Sequence, residues 1–504
     1  MQPAEPARSP EPAHTPAPAH ARAPALLDPP WLGGLQDLRR EHAFEPLRVE
    51  GALPTDLEGT LFRNGPGRFT VDGRQRVPHW FDADGAVSAV RLASGRAWGA
   101  VRLVRTDGLE REERAGKRLF GGYGTPLARP VRELFFGDMK NPANTSVLAW
   151  QGRLYASCEA GKPYELDPAD LATFGESRLG GALVGPFSAH HHRVPQRRAT
   201  YNFGVAHGKG GTRFDAYELP DDGAARHLAT FAVDGVRLCH DFAVTERHLV
   251  FAIAPQFMSL VRTVLLGKPP VASALWKPTR GTEIVVVPLD APATIRRFHV
   301  DAFMLEHVVN AFEDGDALVV DYTHYDEADG LERFVGGLVS GRVDAPLRSE
   351  LRRLRIQPDR DAVASEVLLR RPVELPRVSP RVDAEPHRFV YCVEFAATGA
   401  AAATKDASAG APFQRLLKLD AASGRVETYE PGPQRYVGEG VFVPRRGGSG
   451  EDDGWLLAMT YDARADRSSL EILDARAMAA GPIATCHFDQ PIPLGFHGAW
   501  EPAA

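Results

Sequence analysis

Seven times along this chain, a turn rich in glycine or charged residues runs straight into a short β-branched, aromatic or aliphatic strand. The copies are Leu57–Phe62, Gln151–Ala156, Arg198–Phe203, Arg247–Phe251, Gly315–Val320, His387–Tyr391 and Gly454–Ala458, spaced by 47 to 94 residues. A unit of this kind cannot bury its apolar face alone, so the copies must stack on one another. Half-buried strands behind charged turns at such periods predict an all-β fold, a seven-bladed β-propeller whose blades take about 40 to 50 residues each. The longer gaps predict insertions on one face. Residues from about 256 to 278 and from about 323 to 371 have helix-compatible or loop character, and are expected to form a dome over that face. A pair of β-sandwiches is the structural alternative.

A large all-β architecture uses 504 residues as one unit, so residues 31–504 are read as a single domain. Residues 1–30, rich in Pro and Ala and without an apolar run, are read as a disordered tail. The net charge of −6 is spread without a basic block, which argues against nucleic acid as a partner. Cys158, Cys239, Cys392 and Cys486 are far apart and form no C-x-x-C pair. A disulfide framework and a thiolate zinc site are therefore not expected, and a reducing, cytoplasmic setting is. No run approaches the roughly 20 apolar residues needed to span a bilayer. The longest, Phe257–Leu266, carries Arg262 and has two readings: a segment lying peripherally on a membrane, or a buried helix. No protein partner is inferred.

Histidines recur in register with the repeats. His190, His240 and His307 precede the centres of their strands, Tyr201, Val250 and Val319, by 11, 10 and 12 residues. Equivalent positions in successive copies gather around one axis, and imidazoles gathered there bind a transition metal. His497 joins them in Leu494–Trp500, where flanking glycines allow close backbone packing. His190, His191 and His192 are consecutive; alternation puts His191 on the opposite strand face, and the residues alone leave open which ring points inward. An all-imidazole set suits Fe, Cu, Ni or Zn, and its four neutral ligands call for carboxylates behind them to balance the ion and fix the tautomers. Glu159 ends the strand Leu154–Glu159, Glu374 lies 16 residues before Val390, and Glu439 lies 18 before Leu457 in a Gly-flanked apolar run.

At these residues the chain resembles the carotenoid cleavage oxygenase family, carotenoid or apocarotenoid 15,15′-type or related. The resemblance runs from about Pro46 to Trp500 and is carried by several long motifs in family order. They are Gly59–Gly67, His79–Gly85, Lys140–Thr145, Glu159–Asp167, His240–Phe242, His307–Glu313 and Gly495–Gly498. It implies a seven-bladed propeller with a helical dome over one non-haem Fe(II) per chain, held by His190, His240, His307 and His497. The family's Ser/Thr-Ala-His-Pro pattern selects His190, although His191 stands in place of the proline. Glu159, Glu374 and Glu439 would hold three of the four histidines and leave the first without a partner. Thr145 falls where relatives place a residue beside the vacant coordination positions; by itself it reads equally as a threonine in a tight turn.

The activity implied is oxidative scission of a conjugated C=C bond, with O₂ as co-substrate and two carbonyl products. No side chain beyond the metal centre is then required for catalysis, and a permanent carboxylate or lysine inside the apolar substrate tunnel is not expected. Stilbene-cleaving relatives carry a lysine directly before the first glutamate; here that place is Cys158, which favours a hydrophobic carotenoid or apocarotenoid polyene over a phenolic stilbene. Cys158 packed into the core would discriminate nothing. A retinoid-type isomerohydrolase on the same iron site, and a non-catalytic metal-stabilised propeller, remain as alternatives.

Overall fold

The computed structural model describes residues 27–135, 139–159, 161–208, 210–343, 347–395 and 412–503. Seven antiparallel sheets, each of four or five strands, form the blades of a propeller. From the axis outward, the first blade begins with Gly498–Pro502 and then Gly59–Arg68, and the second with Ser146–Trp150 and Arg153–Ser157. The innermost strands of blades three to seven are His191–Val194, Ala243–Val244, Met304–Asp314, Val373–Arg377 and Arg435–Pro444.

All seven repeat units of the sequence fall on one equivalent strand, the second from the axis. This strand has a neighbour on each edge and another blade against each face, so its sequence is a near-continuous apolar run. Ala317–Tyr325, for example, is buried at every position. Six of the apolar core clusters lie at blade-to-blade interfaces, and another joins blades six and seven to residues beneath the dome. Between blades three and four Phe203, Phe214, Phe231, Phe242 and Phe251 interlock, with Phe214 and Phe231 stacked at 4.8 Å.

Two segments close the ring. Gly498–Pro502 pairs antiparallel with Gly59–Arg68, in the register Arg63 opposite Gly498 and Gly59 opposite Pro502. Arg48–Gly51 adds an outer strand to the seventh blade by pairing with Pro482–His487. Backbone contact at this seam is close: a Cβ on Gly65 would lie 2.4 Å from the Cα of Gly495. The tail assigned to residues 1–30 falls largely on residues outside the described set, which begins at 27; directly after it, Trp31 and Leu35 are buried in the core.

The insertions build the dome. Helix Asp329–Leu338 buries Phe334, Val335 and Leu338 in the cluster that also holds Trp80 and Phe496. Helix Asp107–Ala115 starts at Thr106, whose hydroxyl accepts from the Leu109 amide at 3.1 Å, and stops at Gly116 in the left-handed region. The expectation of a dome from 323 to 371 needs correction at its C-terminal half. Glu350–Gln357 and Ala362–Leu369 are the third and fourth strands of the fifth blade. Their arginine-rich sequence hides the alternation of Leu354 and Ile356, and Arg353 turns its charge onto the buried Asp321 at 2.8 Å. Phe257–Leu266 is not a buried helix either: Gln256–Met258 pairs with Ala274–Trp276, and Val261–Leu265 forms one π-helical turn with its apolar side chains outward.

Candidate metal centre

Four of the seven blades each deliver one histidine to the axis. His190 directly precedes the innermost strand of blade three, His240 lies just before that of blade four, His307 lies within that of blade five, and His497 directly precedes the closing strand of blade one. One ring nitrogen of each lies within 4.8 Å of those of the other three. The Nε2 atoms of His190 and His240 are 2.8 Å apart, and those of His240 and His307 are 3.3 Å apart. Nitrogens bound at about 2.1 Å to one ion and at right angles to each other lie about 3.0 Å apart. The spacing and the donor set therefore fit a single transition-metal ion.

The other three blades supply carboxylates. His240 Nδ1 lies 3.0 Å from Glu159 Oε1, His307 Nδ1 donates to Glu374 Oε2 at 2.5 Å, and His497 Nδ1 donates to Glu439 Oε1 at 3.0 Å. A proton held at Nδ1 leaves the Nε2 lone pair free to face the centre, so each carboxylate sets the tautomer that a metal ligand needs. His190 has no such partner; its Nδ1 is 3.8 Å from Asp241 Oδ2. Asp241 is committed elsewhere, accepting from His192 Nε2 at 2.8 Å and from the amides of Phe242 and Val308. His192 thus serves Asp241, and His190 is the member of the triple that enters the cluster.

Burial, reinforced by the neighbouring imidazoles, holds His190 well below its ordinary pKa. For His497 burial outweighs Glu439 and lowers the value to about 4. His240 behaves oppositely: burial opposes its charge, but Glu306 and Glu159 together raise it to about 10. The cluster is open on this side. The His240 and Glu159 side chains are 25% and 39% exposed, whereas those of His497 and Glu439 are 8% and 1%.

The groups that hold the supporting carboxylates, Arg377, Arg63 and Tyr325, carry no spacing signal. Glu439 is clamped by Arg377 Nε at 2.8 Å and by the Gly498 amide, with Arg63 at 3.6 Å; burial alone would raise its pKa, but Arg377, His497 and Arg63 hold it far below the carboxylate range. Tyr325 donates its hydroxyl to Glu374. Thr145 lies against the cluster through its backbone, its carbonyl accepting from the His497 amide at 3.2 Å, while its hydroxyl donates to Asn144. Cys158 is buried with its sulfur 3.1 Å from Asn141 Oδ1. Glu306 also escaped the sequence reading. Glu306 places Oε1 3.7 Å from His240 Nε2, because an irregularity in strand pairing between Leu305 and Val308 breaks the alternation that would turn it away from His307.

A family model for the retinal pigment epithelial membrane protein matches residues 35–502. The chain is 33% identical to an apocarotenoid-15,15′-oxygenase of Synechocystis sp., over 93% of this chain and 96% of that protein. It is 31% identical to an isoeugenol monooxygenase of Pseudomonas putida, over 94% and 98%. Cobalt-substituted Synechocystis apocarotenoid oxygenase superimposes with a TM-score of 0.83 at 32% identity, over 94% of this chain and 98% of that one. With four axial imidazoles on a seven-bladed ring and a match across nearly its whole length, the chain belongs to the retinal pigment epithelial membrane protein family of carotenoid cleavage oxygenases.

Proposed function

We propose that this protein is a non-haem Fe(II) dioxygenase that cleaves one conjugated C=C bond of a carotenoid or apocarotenoid, converting alkene and O₂ into two carbonyl products. The observation that carries the reading is the convergence of four Nε2 atoms, three of them backed by a carboxylate at Nδ1. His190, His240, His307 and His497 would hold the ion, which when bound supplies the redox-active centre for oxygen chemistry. The chain's own residues do the rest. Glu159, Glu374 and Glu439 fix the imidazoles, and buried Trp80 and Phe496, with ring centroids 4.2 Å apart, keep water from the His497 side. Substrate approaches over the more open His240. Cys158 is buried and so does not discriminate between substrates, and the likeness to the Synechocystis apocarotenoid oxygenase is what supports a polyene.

The test is turnover of a panel of apocarotenals and stilbenes with Fe(II) and ¹⁸O₂. Label in aldehyde products from a polyene is expected. Cleavage confined to stilbenes would overturn the substrate assignment, and isomerised product without label would overturn the oxygenase reading. His240→Ala and His307→Ala are expected to lose iron and turnover together; turnover retained without iron would sink the metal role.

Polyenes partition into bilayers, and the dome offers a place to meet one. Val261, Leu265 and Leu266 are 59%, 75% and 63% exposed on the turn flanked by Arg262 and Lys268, a combination suited to an acidic lipid surface. No helix among the described residues is long and apolar enough to cross a membrane, and the contact proposed is peripheral. Leu260→Asp with Leu265→Asp is expected to abolish flotation with liposomes while iron content stays unchanged; equal flotation of the variant would refute the contact.

A further inference from the structure

Glu306 has no counterpart in the scheme of four histidines and three supporting carboxylates. It is 8% exposed, and among the described residues none donates a hydrogen bond to its carboxylate. A buried carboxylate in that state is costly unless a cation or donor meets it. Its Oε1 lies 3.7 Å from His240 Nε2, the atom that faces the shared centre rather than the one held by Glu159.

The strand explains how it comes to stand there. In regular alternation Glu306 and His307 would face opposite sides of the innermost strand of blade five. The pairing of Met304–Asp314 with Ala317–Tyr325 slips between Leu305 and Val308, however, and these two residues both sink into the apolar interface with blade four. The two residues between them are released together toward the axis. Such a bulge re-aims side chains at a site.

We propose that Glu306 is a fifth, anionic ligand to the ion held by the four histidines, entering on the open side beside His240. This rests on the metal reading above. Donors at right angles on one ion lie about 3.0 Å apart; Glu306 stands 3.7 Å from His240 Nε2 and outside the group of four nitrogens, so ligation requires its side chain to swing toward the centre. The carboxylate would offset part of a divalent charge that four neutral imidazoles leave uncompensated. It would also leave less of the ion open to oxygen and substrate than an all-histidine set does.

The experiment is titration of Co(II) into metal-free wild-type protein and the Glu306→Gln and Glu306→Ala variants, with the visible ligand-field spectrum recorded alongside. The variants are expected to bind Co(II) at least tenfold more weakly and to show shifted bands. Glu306→Gln preserves shape, so its far-ultraviolet circular dichroism and melting temperature in the metal-free state control for folding. Unchanged affinity and bands in both variants would overturn the proposal, as would unchanged metal binding with a raised KM alone, which would make Glu306 a contact to substrate. Wild-type protein that takes up no Co(II) would instead defeat the four-histidine reading itself.

Discussion

Glu439 shows how much a single buried side chain carries at this centre. It accepts from His497 and from the Gly498 amide, and it lies between two guanidinium groups, Arg377 and Arg63. Neutralising it leaves the buried Arg63 without its anion and takes the partner from Arg377, whose side chain is 37% exposed. Glu439→Gln is therefore expected to destabilise the metal-free protein by about 3 to 5 kcal/mol, read from urea unfolding. Glu374→Gln, which removes no cation's partner, should cost less. The glutamate was legible from its place between glycines in an apolar run, but its arginines were not. Arg63 lies 376 residues away in sequence, and only ring closure brings the two together. Asp241 and Glu306 were hidden differently: each sits next to a metal-binding candidate in the chain, and no pattern of residue types reveals which way a neighbour points.

At the scale of elements, the second strand of every blade was readable and the innermost strand was not. The second strand is apolar because both its faces are covered. The innermost strand can be as short as Ala243–Val244, and it carries the polar groups of the centre in place of a periodic apolar pattern. What could be read of it was indirect, a constant interval from histidine to the next strand. The outer strands of blade five were misread because charged side chains on a blade rim imitate a surface loop. Between elements, backbone meets backbone closely where a Cβ on Gly65 would lie 2.4 Å from the Cα of Gly495. A methyl group there would push against backbone rather than a flexible side chain. Gly65→Ala is expected to cost about 1 to 3 kcal/mol in urea unfolding and to weaken metal binding, because Gly495 stands two residues before His497.

For the whole molecule, the number of blades and the role of one face follow from the repeat and the histidine register. The dome's detailed path does not, since it depends on packing between insertions distant in sequence. The ring is held shut at the seam where Gly498–Pro502 lies on Gly59–Arg68. Ending the chain after His497 removes that strand and bares a sheet edge beside a ligand. Such a truncation is expected to aggregate and to bind no metal, as size-exclusion chromatography with metal analysis would reveal. The same seam bears on biosynthesis. Three of the four imidazoles emerge from the ribosome well before the last, and the strand that positions His497 follows it. A nascent chain cannot offer the finished set of donors until His497 and the strand after it have been made, so a product cut short before them would carry three imidazoles and no complete centre.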